Sequence, residues 1–310
     1  MSDLQNAVFQ DETKAREWLE AHLWPKGPVC PHCGVTNEAT LIEGKKHAHR
    51  DGLYMCNACR QQFTVTVGTI FERSHVPLNK WLQATFLLCA SKKGMSSHQL
   101  HRMLGVTYKT AWFMSHRIRE AMKPEITGPL GGEGKFVEAD ETYIGRKPGR
   151  KKAKAGAGHK LAVMSLVERG GAVRSFHIEA HDAKSMVEVL DKNAARDSHL
   201  RTDELPFYKG VGYLFTSHET VKHSEDEYVR GDAHTNTIEG YFSIFKRGMR
   251  GIYQHCGEQH LQRYLTEFDF RYSNRAALGV DDKERTARAL KGVVGKRLTY
   301  RRTRGAQPQA

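Results

Sequence analysis

Two Cys-x-x-Cys pairs near the N-terminus constrain the fold of this chain more than any other feature. Separated by 22 residues, the pairs are made of Cys30, Cys33, Cys56 and Cys59. Four such thiolates can hold one tetrahedral Zn²⁺, and strand-like stretches within 40–54 suit a ribbon between the pairs. Two disulfides are the alternative, but the polar N-terminus is not signal-like, which argues against an oxidising compartment. We therefore predict a structural zinc ribbon over residues 25–72, preceded by a helix within residues 1–24.

Residues 78–122 show the apolar spacing of three helices. The first carries an apolar stripe from Leu78 to Cys89, and Ser96 begins a capping box for the second. Thr107 caps a third helix that runs to about Met122. This is helix-turn-helix spacing, and we assign the module to residues 73–123.

The third of these helices carries both an apolar face and basic residues. Ala111, Ser115, Ile118 and Met122 repeat at the spacing of a buried face, which leaves the basic residues for the outside. Recognition helices read base edges with their N-terminal residues, while Lys and Arg nearby hold phosphates. A plain helical bundle with a basic surface is the alternative. The candidate DNA contacts are Tyr108, Lys109, Thr110, Arg117 and Arg119.

Beyond a Pro/Gly-rich linker at residues 124–134, the pattern changes to alternating strands and helices. A helix at 183–195 stands before the last predicted strand, and another apolar stretch surrounds 212–215. Three strands, a helix and further strands predict an α/β domain over residues 135–275, with a mixed sheet and helices on both faces. The predicted strands are 135–144, 160–168, 172–180 and 198–203.

Three acidic residues of this domain stand where a carboxylate needs a partner. Asp140 lies inside an apolar strand, Asp203 ends another, and Glu239 lies on a helix whose other face is apolar. A buried Asp is costly unless it is paired or bound to metal, and carboxylate oxygens suit Mg²⁺ or Mn²⁺. Solvated carboxylates or structural salt bridges are the alternative, since the chain has 35 Asp and Glu. Competing candidates for single positions are Glu138, Glu141, Glu204 and Asp232.

The order of these acids resembles the acidic triad of DDE-type insertion-sequence transposases and retroviral integrases, which share a ribonuclease H-like fold. Thirty-five residues separate Asp203 from Glu239, and the basic residue Lys246 stands seven positions after Glu239. The resemblance spans roughly residues 24–275 and includes an N-terminal zinc ribbon. The segments similar to the ISXO-like transposases in particular are 137–145, 234–240 and 245–248.

The resemblance implies a DDE transposase of a bacterial insertion sequence. In such a site Asp140, Asp203 and Glu239 would hold two Mg²⁺ or Mn²⁺ ions, which serve to activate the attacking water and stabilise the departing 3′ oxygen. The freed 3′-OH would then attack target DNA in the same pocket. The resemblance and the helix phase further imply that Asn236 orients Glu239 or the scissile phosphate, and that Lys246 contacts the DNA backbone.

The implied partner is double-stranded DNA, both the terminal inverted repeats of the element and the target. Pairing two DNA ends favours a homodimer or a larger assembly. A cytoplasmic, nucleoid-associated location is expected, and no membrane partner, because no apolar run approaches 18 residues.

The charge of the chain agrees with a nucleic-acid partner. Its formal net charge is +13, for which ribosomal or membrane-surface association is the alternative explanation. Residues 146–160 contain seven Lys or Arg and no acid, and we expect this segment to contact DNA through Arg150, Lys151 and Lys152 rather than to form a solvated hairpin tip. A second basic run, 296–304, lies in a predicted basic tail over residues 276–310 and is a candidate for binding DNA without sequence preference.

Three other functions remain compatible with this sequence. A transcription regulator would explain the ribbon, the helix-turn-helix and the charge, but it would bind one duplex without Mg²⁺ and leave it uncut. A ribonuclease H-like nuclease or resolvase would cut DNA without joining it. A catalytically inactive relative of the transposases would keep the acids without the reaction.

Overall fold

Two compact units make up the chain in its computed structural model. One unit contains the residues up to Ser91, Met95–Met122 and the residues from Asp282 onward, and the other contains Lys92–Gly94 and Lys123–Asp281. Among the residues that the structure describes, no helix is long and apolar enough to cross a membrane. Those residues are 3–43, 49–125, 128–151, 157–179, 182–205, 208, 210–221 and 229–299.

The first unit begins with two short helices and a small three-stranded antiparallel sheet. Its elements are α1 (Ala7–Gln10), α2 (Glu12–Leu23), β1 (Ala39–Leu41), β2 (Tyr54–Cys56) and β3 (Gln62–Phe63). Asp11 accepts a hydrogen bond from the Lys14 N–H at 2.8 Å and so caps α2. The rings of Trp24, Tyr54 and Phe63 pack on one another beside the cysteines.

Three helices follow the ribbon, and each begins close to its predicted position. They are α3 (Leu78–Ala90), α4 (Ser97–Leu104) and α5 (Tyr108–Ala121). Ser96 accepts a hydrogen bond from the Gln99 N–H at 3.1 Å, and Thr107 accepts one from the Thr110 N–H at 3.2 Å. Gly105 ends α4 with a φ of 61°, a conformation that a Cβ disfavours. The helix-turn-helix spacing is therefore present in the structure.

Helix α5 is more deeply buried than its sequence pattern indicates. Arg119 is 1% exposed and Arg117 is 8% exposed, so the prediction that both arginines lie on the outside is wrong. Arg117 instead donates to the carbonyl oxygens of Ile70 at 2.7 Å, Glu72 at 3.1 Å and Leu298 at 3.1 Å. The sequence pattern predicted one buried face of α5, but segments that are distant in sequence cover a second face of this helix.

The C-terminal residues supply part of that cover. Helix α9 (Asp282–Lys291) packs against α3 and α5, and Val293 just after it is fully buried. Arg285 donates to the Cys89 carbonyl oxygen at 3.0 Å. Residues 276–310, which the sequence indicates only as a basic tail, thus contain a helix that belongs to the first unit. Of the basic run 296–304, the structure describes residues 296–299.

A five-stranded mixed sheet forms the centre of the second unit. Its strands are β4 (Phe136–Ile144), β5 (Leu161–Glu168), β6 (Val173–Ile178), β7 (His199–Asp203) and β8 (Ser217–Val221). Their order is β6-β5-β4-β7-β8, in which β4, β5 and β6 are antiparallel while β7 and β8 run parallel to β4. The sequence indicates an apolar stretch at 212–215 but not β8, because β8 is a polar edge strand with only Val221 buried.

Helices cover both faces of this sheet, which confirms the predicted ribonuclease H-like mixed sheet with flanking helices. The helices are α6 (Ala183–Asn193), α7 (Asn236–Gly248) and α8 (Leu261–Ser273). Val137 and Ala139 pack with α6 on one face, whereas Ile144 packs with α7 and α8 on the other. Since side chains alternate along a strand, Glu138 and Asp140 point toward the α7 face.

A buried polar contact fastens α7 and α8 to the sheet. The Asp269 carboxylate accepts hydrogen bonds from the Tyr241 hydroxyl at 2.6 Å and from the Ser175 hydroxyl and N–H at 2.7 Å each. Burial raises the pKa of Asp269 to about 7, although these hydrogen bonds oppose the rise. Because every donor is buried with its acceptor, losing one partner leaves an unsatisfied group.

We expect Tyr241→Phe to destabilise the second unit by about 1 kcal/mol, because it removes one buried hydrogen bond. Asp269→Asn should destabilise it by about 1–3 kcal/mol, because the NH₂ group of the asparagine would face a hydrogen-bond donor. Urea unfolding followed by hydrogen exchange in β6 and α8 measures this unit separately. The matched control is Tyr213→Phe, which removes the same hydroxyl from a residue that is 81% exposed. Equal stability of the Tyr241 and Tyr213 variants would contradict the assignment.

Candidate active site and zinc site

Two parallel strands bring the first two predicted acids together. The pairing of β4 with β7 reaches Glu138 and Arg201, and Asp140 and Asp203 stand two residues further along their strands. Carboxylate oxygens of Asp140, Glu141 and Asp203 lie within 4.8 Å of one another. Oxygen ligands in this number suit a hard divalent cation such as Mg²⁺ or Mn²⁺. The three side chains therefore fit a divalent metal site.

Glu141 joins this group from the opposite face of β4. Its carboxylate accepts a hydrogen bond from the hydroxyl of Tyr208, which is fully buried. The sequence names Glu141 only as a competing candidate for a single position. The adjacent Asp-Glu pair in β4, just past the residues that pair with β7, was the available signal.

Burial and mutual repulsion raise the pKa values of Asp140 and Glu141. For Asp140 burial is the largest cause and the charge of Asp203 the next, and together they raise the pKa to about 7. The Glu141 N–H, which donates to Asp140 at 2.7 Å, lowers this pKa, the charge of Glu239 raises it, and that of Lys246 lowers it. Burial also raises the pKa of Glu141 to about 8, against the hydrogen bond from Tyr208. A divalent cation would compensate this accumulated negative charge.

Glu239 approaches the acids from α7 but lies outside the group of three. Its exposed carboxylate accepts a hydrogen bond from the Thr235 hydroxyl at 3.1 Å. The charges of Glu239 and Lys246 both act on Asp140, so these two residues lie near the strand acids. Asn236 is exposed at the first position of α7. The structure thus brings Asp140 and Asp203 into contact range, with Glu239 and Lys246 beside them.

The four cysteine sulfurs of the ribbon also come together. The Cys30 and Cys59 sulfurs are 3.6 Å apart, and those of Cys33 and Cys56 are 3.7 Å apart. All four lie within 4.8 Å of one another. A tetrahedron with Zn–S distances of about 2.3 Å has sulfurs about 3.8 Å apart, whereas a disulfide requires about 2.05 Å. The cysteines are free thiols placed to bind zinc.

Comparison with known proteins finds matches for two segments of the chain. The family model described as ISXO2-like transposase domain matches residues 129–273, and the model described as transposase zinc-ribbon domain matches residues 10–62. The chain therefore carries a segment that matches the ISXO2-like transposase domain and, before it, one that matches the transposase zinc ribbon. These matches confirm the resemblance to the ISXO-like transposases, and they occur in the expected order.

Two further similarities accompany the family matches. The chain is 29% identical over 287 residues to the uncharacterized protein in transposable element ISH50 of Halobacterium salinarum, and this match covers 85% of the chain and 92% of that protein. Among solved structures, a chain in the crystal structure of a pre-cleavage Mos1 transpososome matches 67% of this chain and 73% of its own length, with 15% identity and a TM-score of 0.26. A TM-score of this size does not establish a shared fold.

The residues predicted to contact DNA differ in their solvent exposure. Tyr108 is 45% exposed, and its ring stacks on that of His98 with centroids 4.3 Å apart. Lys109 beside it is exposed, and Thr110 is half-buried where it joins the cap of α5. The buried Arg117 and Arg119 hold the helix instead of reaching a ligand. In the basic segment between β4 and β5, Arg150 and Lys151 are exposed, and Lys152 lies outside the described residues.

We expect Cys33→Ser to release zinc and to unfold the ribbon, because structural zinc binding is coupled to folding. Metal analysis of the purified protein should fall from one zinc per chain to near zero. His32→Ala is the matched control, since His32 lies within the same Cys-x-x-Cys pair with an exposed ring and is not among the four ligands. Undiminished zinc in the Cys33 variant would refute the zinc site.

Proposed function

We propose that this transposase binds the terminal inverted repeats of a bacterial insertion sequence and catalyses metal-dependent DNA cleavage and strand transfer into target DNA. The observation that carries the proposal is that Asp140 in β4 and Asp203 at the end of the parallel strand β7 lie together, where burial and repulsion raise the pKa of Asp140 to about 7. Carboxylates that are gathered in one place and have raised pKa values are typical of a functional site. We further propose that the protein acts at the nucleoid in the cytoplasm, as a homodimer or larger assembly that pairs two DNA ends.

Asp140, Asp203 and Glu239 would hold Mg²⁺ or Mn²⁺. When bound, the divalent cations supply activation of the attacking oxygen and stabilisation of the departing 3′ oxygen. The strands give Asp140 and Asp203 a fixed spacing, and the Glu141 N–H orients the Asp140 carboxylate through its 2.7 Å hydrogen bond. Two buried strands carry these acids, so they reorganise little when substrate arrives.

Two further residues of α7 would orient the substrate. The Lys246 ammonium lies 5.7 Å from the centroid of the Phe242 ring, which holds this cation near the acids and available to a DNA phosphate. Asn236 stands one turn before Glu239 on the exposed surface of the helix, where its amide can orient the carboxylate or the scissile phosphate. Both residues would position DNA without exchanging protons with it.

Two surfaces would bind the DNA outside the acidic site. Tyr108, Lys109 and Thr110 occupy the first turn of α5, the part of a recognition helix that reaches base edges. Arg150, Lys151 and Lys152 would contact phosphates, which carry no sequence information. Binding to the element's ends should therefore depend on sequence through α5 and on salt through the basic segment.

The second candidate function is transcription regulation, which the ribbon and the helix-turn-helix would also serve. The acids distinguish the two functions, because a regulator gains nothing from half-buried carboxylates that repel one another. A cut-only nuclease shares the acids but does not join strands.

The experiment is to incubate the protein and Mg²⁺ with labelled duplexes made from the DNA flanking its gene and with a target plasmid. Joined product supports a transposase, cutting alone a nuclease, and binding alone a regulator or an inactive relative.

Glu239→Gln should keep end binding within about twofold and lower cleavage by at least about 1,000-fold, because it removes one metal charge but preserves the shape of the side chain. Gel-shift and single-turnover cleavage assays measure the two effects on one protein. Glu188→Gln is the matched control, since it makes the same change on an exposed residue of α6. Cleavage at the wild-type rate by the Glu239 variant would mean that another acid is the third metal ligand.

The affinity of the zinc-loaded protein for Mn²⁺ should rise from pH 6 to pH 8. The raised pKa of Asp140, about 7, and that of Glu141, about 8, mean that protons occupy these acids at low pH and must leave when metal binds. Calorimetry in buffers of different ionisation enthalpy measures both the affinity and the protons released. Asp140→Asn should weaken binding and flatten the pH dependence. A wild-type affinity that stays constant across this range would contradict the predicted ligands.

A further inference from the structure

A third carboxylate on β4, that of Glu138, is fully buried and points to the same face as Asp140. Two donors at the start of α7 reach it. Its Oε2 accepts the Ile238 N–H at 2.9 Å, and its Oε1 accepts the Thr237 hydroxyl at 2.8 Å. Glu138 therefore joins the strand of Asp140 directly to the first turn of the helix that carries Glu239.

Helix α7 depends on this contact because its own cap is missing. Thr235 occupies the N-cap position, yet its side chain makes no capping hydrogen bond and instead donates to Glu239. The first N–H groups of a helix have no partner within the helix and require an acceptor when they are buried. A carboxylate is also the favoured charge at a helix N-terminus. Glu138 supplies both the acceptor and the charge from a neighbouring strand.

Arg169 compensates the buried charge of Glu138. Its Nε donates to Glu138 Oε1 at 2.6 Å, and its guanidinium also donates to the His234 carbonyl oxygen at 2.8 Å. Arg169 thus holds the chain just before α7 as well as the carboxylate beneath it. His234 Nδ1 lies 3.3 Å from the same carboxylate oxygen. With four groups around one carboxylate, the geometry at the start of α7 is strongly determined.

We infer that Glu138 is the positioning residue that fixes Glu239 relative to Asp140. Glu138 precedes Asp140 by two residues, about 6.7 Å along the strand, and its N–H donor, Ile238, immediately precedes Glu239. A shift of α7 along the sheet would therefore break the Glu138 contacts before Glu239 could leave its place. This inference rests on the proposed function, because it assumes that Glu239 is a metal ligand.

The test is a cycle of Mn²⁺ affinities in four proteins: wild type, Glu138→Gln, Glu239→Gln and the double variant. Partners behind a metal ligand typically affect affinity 10- to 100-fold. We expect Glu138→Gln to weaken Mn²⁺ binding by about tenfold when Glu239 is present and by less than about twofold in the Glu239→Gln background. Equal weakening in both backgrounds, or none in either, would overturn the inference.

Hydrogen exchange gives a readout that needs neither DNA cleavage nor metal. Glu138→Gln should raise the exchange rate of the Ile238 amide by at least about tenfold, while amides in the middle of α7 stay protected. Thr237→Val, which removes only one donor, should shift both the affinity and the exchange in the same direction by a smaller factor. Unchanged exchange at Ile238 in the Glu138 variant would overturn the inference even if Mn²⁺ binding changed.

A control separates positioning from general loss of stability. Met186→Ala truncates a fully buried side chain on the α6 face, away from α7. At a matched loss of thermal stability, this variant should retain the wild-type Mn²⁺ affinity and Ile238 exchange. A tenfold loss of affinity in the control would attribute the effect of Glu138→Gln to stability and overturn the inference. Failure of the wild type to bind Mn²⁺ would refute the proposed function, and the exchange data would still decide the role of Glu138 in holding α7.

Discussion

The electrostatic cost of holding Asp140 beside Asp203 is the constraint on which the second unit depends. Asp140 in the middle of β4 and Asp203 at the end of β7 are half-buried, and burial together with the repulsion between them raises the pKa of Asp140. The sheet bears this cost because apolar packing on both of its faces fixes β4 and β7. Proteins retain such conflicts between local energetics and fold mainly at functional sites.

Buried polar contacts hold α7 at two places. Its first turn is bound by Glu138 and Arg169, and Tyr241 one turn later is bound by Asp269 of α8. Apolar packing alone would allow the helix to slide, since dispersion contacts have little directional preference. Hydrogen bonds to buried carboxylates do have direction, so they specify where the exposed Glu239 stands above the sheet.

Local patterns in the sequence were sufficient for most of the helices and strands, for the caps of α4 and α5, and for the clustering of the cysteines and of Asp140 with Asp203, but not for β8 or α9. Helix caps at Ser96 and Thr107, the strand around Asp140 and the four clustered cysteines all follow from neighbouring residues. Contacts between distant segments were not predictable in the same way. The burial of Arg117 and Arg119 depends on the turn around Ile70 and on the C-terminal segment with α9, which pack on α5, and no periodicity within α5 records these contacts. From the sequence, Glu138 was only one more competing acid, because its partners Thr237 and Ile238 lie about a hundred residues further along the chain.

The proposed reaction requires that carboxylates from β4 and β7 hold divalent metal. An anomalous difference map from crystals soaked with Mn²⁺ can locate the ion without reference to activity, because manganese scatters anomalously. We expect a peak within about 2.3 Å of oxygens from both Asp140 and Asp203. A map in which manganese binds only at other acids, or leaves these two carboxylates without a peak, would contradict it.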